Sequence, residues 1–62
     1  MNAKVVMSNG RYYILSVKYE DFIKAIKNNL ENGIVFQETE TIFGVKVSLK
    51  ISEISEVVAT QI

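Results

Sequence analysis

AKVVMSNGRYYILSV, residues 3–17, carries the strongest local structural signal in this 62-residue chain. Two runs rich in β-branched and aromatic residues, Ala3–Met7 and Tyr12–Val17, flank Ser8-Asn9-Gly10-Arg11. Asn-Gly tolerates the positive φ of a type I′ turn, so the stretch reads as a β-hairpin with a two-residue loop. That register sets Met7 against Tyr12, Val6 against Tyr13 and Val5 against Ile14. One face then carries Ala3, Val5, Met7, Tyr12 and Ile14. The other carries Val6, Tyr13, Leu15 and Val17, with Lys4 and Arg11. Both faces are largely apolar, whereas a hairpin with one side in water shows a cleaner alternation. The hairpin is therefore expected to be covered on both sides, by this chain or by another.

The segment that follows is helical. Tyr19, Phe22, Ile23, Ala25, Ile26 and Leu30 recur at helical spacing and form one apolar stripe, with Lys24, Lys27, Asn28 and Glu31 opposite. Glu20 and Asp21 fall in the first turn, where the helix dipole favours anions. Ser16 is the candidate N-cap, and Asn32-Gly33 stops the helix, which the spacing places over 19–31. Strand patterns then return at Ile34–Glu38 and at Val45–Ile51. In the second, Val45, Val47, Leu49 and Ile51 point one way and Lys46, Ser48 and Lys50 the other. Gly44 marks a bend or bulge near its start. Ile51-Ser52-Glu53-Ile54-Ser55-Glu56 reads as a helical turn or tight connection. Residues 57–62 read as a final strand, with a frayed tail as the alternative. The expectation is a single α+β domain over 1–62: an antiparallel sheet of four or five strands, ordered β-β-α-β-β, with one helix on one face. Phe22, Ile23, Ile26 and Leu30 should pack on Val45, Val47 and Leu49.

Composition limits the chemistry. The chain has no His, Cys, Trp or Pro. The usual proton shuttle near neutral pH, the thiolate nucleophile and the commonest zinc ligands are all missing. No Ser has a His partner, and no phosphate-cradling glycine motif occurs. No enzymatic activity, cofactor or metal is expected. Glu38 and Glu40 share one face of an extended segment and could bind a hard cation. Cross-strand pairing with Lys46 and Lys50 explains them more simply. The sequence has no leader-like apolar segment and no run long enough to cross a membrane, so a cytoplasmic location is expected.

A domain this short buries only about 60% of the surface its unfolded chain exposes. Disulfides are excluded and zinc nearly so, which leaves a partner chain as the means of extra stabilisation. A homodimer is expected, through the hairpin face that the helix leaves open. Val6, Tyr12, Tyr13 and Leu15 are the candidate interface, with one of the two tyrosines as its anchor. Lys4, Arg11, Lys46 and Lys50 are a candidate basic surface. With Tyr12, Tyr13, Phe36 and Phe43 as stacking surfaces on the same face it could bind nucleic acid, although a net charge of zero disfavours that reading.

The short length, six Lys to one Arg, eight Ile, five Asn and the layout of Asn-Gly hairpin, single helix and return strands resemble the small orphan proteins encoded by phages and prophages of low-GC Gram-positive bacteria. The resemblance implies a class of role, in which the protein binds and redirects a host protein. The sequence reading is accordingly a non-catalytic protein-interaction module, with a small nucleic-acid-binding regulator as the alternative.

Overall fold

A computed structural model describes residues 1–62. In chain order it contains β1 (Asn2–Met7), β2 (Tyr12–Lys18), α1 (Tyr19–Glu31), β3 (Phe36–Glu40), β4 (Lys46–Lys50), a 3-10 turn (Ile51–Glu53) and β5 (Ile54–Thr60). All strand pairs are antiparallel, so the fold is α+β with the expected element order and a fifth, C-terminal strand. The strands do not form one sheet. β2-β1-β5 make a three-stranded sheet, and β3-β4 make a separate hairpin.

The first hairpin closes differently from the sequence reading. Its loop has three residues, Ser8, Asn9 and Gly10. Met7 N–H donates to Arg11 O at 2.7 Å, and Gly10 N–H donates to Met7 O at 3.0 Å. Gly10 sits at φ 88°, as a three-residue loop ending in a left-handed residue requires. The extra loop residue slips the register by one, giving Val6↔Tyr12, Val5↔Tyr13 and Lys4↔Ile14. A slip of one exchanges the faces of one strand relative to the other. Tyr13, Leu15 and Val17 therefore join Ala3, Val5 and Met7 on the inner side. Tyr12 and Ile14 join Lys4 and Val6 outside. The expected hairpin with two apolar faces is thus corrected to one apolar face and one mixed face.

The second hairpin repeats the device. Gly44 N–H donates to Thr41 O at 2.9 Å, and Thr41 N–H donates to Val45 O at 2.8 Å. Gly44 has φ 80°. The register runs from Phe36↔Lys50 to Glu40↔Lys46.

What joins the hairpins is a break in β2. Between Lys4↔Ile14 and Asn2↔Lys18 the pairing shifts, with three residues of β2 set against Ala3 alone. The Asn2 side-chain amide donates to Leu15 O at 2.8 Å and bridges the gap. Here β2 turns towards β3: Leu15 bridges to Thr41, Ile42 N–H donates to Ile14 O at 3.0 Å, and Ser16 Oγ donates to Glu40 O at 3.2 Å. Ser16 is thereby occupied and does not cap the helix. The N-cap is Lys18, without a side-chain hydrogen bond. Tyr19 N–H donates instead to Met1 O at 2.9 Å.

α1 has the expected span. It ends in a Schellman turn, with Gly33 N–H on Leu30 O at 3.2 Å and Ile34 N–H on Asn29 O at 2.8 Å. Its stripe meets the inner faces of both strand sets. Ala3, Val5, Leu15, Phe22 and Leu49 form the core, and Met7, Tyr13, Val17, Ile26, Val47, Ile54 and Val57 pack around it. Three expected core residues lie outside: Ile23, half-buried but not packed against this cluster, Leu30 and Val45. Leu30 is 58% and Val45 56% exposed. Leu30 belongs to the last helical turn, where the contact to β3 is polar: the Asn29 amide donates to the Gln37 carbonyl oxygen. Val45 lies at the loop end of its hairpin, beyond the last pair of the ladder.

Candidate functional site

The slipped register divides the four candidate interface residues. Val6 and Tyr12 stand opposite each other on the outer face of the three-stranded sheet. Tyr13 packs against the core and Leu15 is fully buried. The three-residue loop rotates both inward, which buries Leu15 and leaves Tyr13 half-buried at the hollow between the first hairpin tip and β4. The tyrosine left outside is Tyr12, 60% exposed.

Around Tyr12 the outer face has a definite composition. Lys4 Nζ lies 4.6 Å from the centre of the Tyr12 ring. An ammonium over an aromatic face contributes about 0.5–1 kcal/mol at an exposed site. Ile14 stands across from Lys4 on β2, and Val58 stands across from Lys4 on β5. Val6 faces Glu56 on β5. The helix lies on the opposite side of the sheet, since the core residues of β1 and β2 and those of α1 belong to one cluster. No element of the chain covers Lys4, Val6, Tyr12, Ile14 and Val58.

The candidate basic surface is also divided. Lys4 belongs to this face. Lys46 and Lys50 belong to the outward side of β3-β4, where Lys46 is opposite Glu40, Lys50 opposite Phe36, and Ser48 opposite Glu38. This is the cross-strand arrangement expected of exposed charges of opposite sign. A shallow concavity of about 520 Å³ lies over this strip, lined by Glu38, Glu40, Lys46 and Ser48 among others. Arg11 joins Lys50 at a second hollow of about 340 Å³, between the tip of the first hairpin and β4. Glu53 shares that hollow and accepts a hydrogen bond from Ser8 Oγ at 2.6 Å. No group of three or more Asp or Glu residues comes together as a metal cage.

Two apolar features lie outside the expected interface, although Phe36 and Phe43 read from the sequence as stacking surfaces for the nucleic-acid alternative. Leu30, Ile34, Val35 and Phe36 are exposed along the helix end and the entry to β3, and Phe43 at the second loop is 85% exposed. The signal for Phe43 was present in Ile42-Phe43-Gly44, a three-residue loop closed by glycine like Ser8-Asn9-Gly10. The run Ile34-Val35-Phe36 reads as the start of a strand, but only Phe36 enters the ladder.

The fold and surface define a small α+β domain with an uncovered, mixed apolar and basic sheet face. No helix is long and apolar enough to cross a membrane. No protein-family model, no curated protein and no solved structure matches the chain.

Proposed function

We propose that the protein is a non-catalytic interaction module that binds and modulates a host protein, of the kind made by phages and prophages. Its contact surface is the outer face of the three-stranded sheet. The observation that carries this reading is Tyr12, 60% exposed, with the Lys4 ammonium over its ring and bordered by Val6, Ile14 and Val58 on strands whose other face is the core. A rigid tyrosine on a sheet offers large apolar area and a polar tip at low entropic cost, which is why tyrosine anchors protein interfaces.

The same pairing of cation and aromatic could suggest a base-stacking platform for nucleic acid. The position of Lys4 weighs against it, because its ammonium already occupies one face of the ring. The candidate lysines are also dispersed over two surfaces, and those of β4 stand among carboxylates.

The test compares tagged wild type with Tyr12→Glu and Phe43→Glu in the native host. The expected result is a protein partner retained by wild type and Phe43→Glu and lost by Tyr12→Glu. Equal recovery by Tyr12→Glu would overturn the assignment. So would a partner that is nucleic acid and whose affinity falls steeply with log salt.

A further inference from the structure

β5 has one neighbour. It pairs with β1, and its other edge is open. The strand is seven residues long, ISEVVAT. It has no Pro, no Lys and a single carboxylate, Glu56, and its one bulge, at Ser55, lies before the run Glu56–Thr60, which keeps a regular register with β1. β4, five residues with a Lys at each end, and β3, five residues carrying Glu38 and Glu40, also have open edges in the two-stranded sheet, and both are protected by those charges. Val58 is 38% exposed, and Ala59 is exposed although it belongs to the helix side of the sheet. The helix therefore stops short of this edge.

The direction of the backbone groups along β5 follows from the first hairpin. Met7 directs both its N–H and its C=O at the β2 side. In an antiparallel strand alternate residues point to alternate neighbours, so Val5 and Ala3 also face β2, and Val6 and Lys4 face β5. Their partners Glu56 and Val58 then spend their backbone groups on β1. Val57 and Ala59 are left with N–H and C=O directed at the open edge.

We propose that this edge pairs with β5 of a second copy, antiparallel, about a two-fold axis at Val58. In that register Val57 of each copy exchanges both backbone hydrogen bonds with Ala59 of the other, so all four directed groups on each strand are satisfied. Val58 meets its own mate in the close, non-hydrogen-bonded position, apolar against apolar. Glu56 faces Thr60 of the other copy, and no like charges stand directly opposite. Moving the axis to Val57 sets Glu56 against Val58 and loses this match. A self-complementary patch of this kind is what a two-fold dimer requires. Within the three-stranded sheet β5 offers the edge for this pairing, because β1 is paired on both sides and the edge of β2 is engaged at Leu15 by Thr41. Three strands from each copy then make one continuous sheet carrying two Tyr12 surfaces. The pairing does not rest on the host-protein reading, since Tyr12 belongs to β2, at the far edge of the sheet.

The absence of Cys from the chain permits a direct test of the register. Single variants Glu56→Cys, Val58→Cys, Thr60→Cys and Tyr12→Cys are oxidised mildly and their covalent dimers measured. Residues paired about a two-fold axis in the close position have Cα atoms about 4.5 Å apart, within disulfide reach. Val58→Cys is expected to cross-link at least tenfold faster than the other three. Sedimentation of wild type from micromolar to near-millimolar should show the mass rising to twice 7.0 kDa. Ala59→Pro removes an N–H directed at the open edge and none from the β1 ladder, so it should remain folded by circular dichroism and stay at 7.0 kDa. A wild type monomeric throughout that range overturns the proposal, as does preferential cross-linking at Tyr12→Cys. Tyr12→Glu should keep the dimer while losing the host protein, so the two readings fail separately.

Discussion

At the scale of single residues, the stripe on α1 is unevenly used. Phe22 is 1% exposed and lies in the core, whereas Leu30, on the same stripe, is 58% exposed. Phe22→Ala should cost ~3–5 kcal/mol, as deleting a buried aromatic does. That is most of the ~3–9 kcal/mol expected for a domain of this length, so the variant should be largely unfolded at room temperature by circular dichroism. Leu30→Ala should change stability by no more than ~0.5 kcal/mol, as for an exposed site. Equal costs for the two in urea titrations would mean that the helix is rotated from the described packing. Gln37 is a different case. It is buried between α1 and β4, accepts from the Asn29 amide and donates to Glu38 O. Asn29→Ala leaves the Gln37 carbonyl oxygen without that donor, at about 1–3 kcal/mol. The pair Asn29→Ala with Gln37→Leu should recover part of this loss, because both polar partners are then removed. A double variant less stable than Asn29→Ala alone would show that Gln37 matters through its other bond.

At the scale of elements, the two hairpins are one construction used twice, and each depends on its closing glycine. Gly10 and Gly44 have φ of 88° and 80°, and a Cβ at either would meet nothing closer than Glu40 Oε1 at 4.0 Å. The cost of Gly10→Ala or Gly44→Ala is then backbone strain alone, ~1–2 kcal/mol each, and the two should add within ~0.5 kcal/mol in the double variant. Asparagine at either position should cost less than alanine, since it tolerates the left-handed region. Denaturant midpoints for the four single variants and the double decide this. An alanine variant as stable as wild type would mean that the loop adopts another geometry and that the strand register is not the one described.

At the scale of the whole molecule, the core is small. Seven of 62 residues are buried, five of them hydrophobic, and no disulfide supports them. Such a domain gains measurably from any species that binds only its folded form. The melting temperature of wild type should therefore rise with protein concentration, and that of Ala59→Pro should not. A melting temperature independent of concentration in wild type would place the second copy outside the stable unit. The four sites Phe22, Asn29, Gly44 and Ala59 thus test the core, the helix-to-hairpin contact, the loop and the edge separately.

The chain's local chemistry determined the elements and their order. Asn9-Gly10 and Gly44 marked the turns, the stripe from Tyr19 to Leu30 set the helix limits, and the alternation from Val45 placed Leu49 inside. Each of these signals acts over a few residues, through backbone propensity and periodicity, and is readable without the rest of the chain. The register was not readable in this way. Asn-Gly fits a two-residue loop or the last two positions of a three-residue loop, and the apolar runs on either side accept both. The choice falls to the burial of Tyr13 and Leu15 against Phe22 and Leu49, contacts distant in sequence. The break in β2 is likewise invisible locally, since its residues Leu15, Ser16 and Val17 are ordinary strand formers. It exists because Asn2, Glu40 and Thr41 satisfy the backbone groups and the space that it opens. For the candidate site the consequence is direct. Sequence named Tyr12 and Tyr13 as a pair with one outward member. Which of the two it is, and that Leu15 is lost to the core, was decided by tertiary packing, because only packing fixes a register with a period of two.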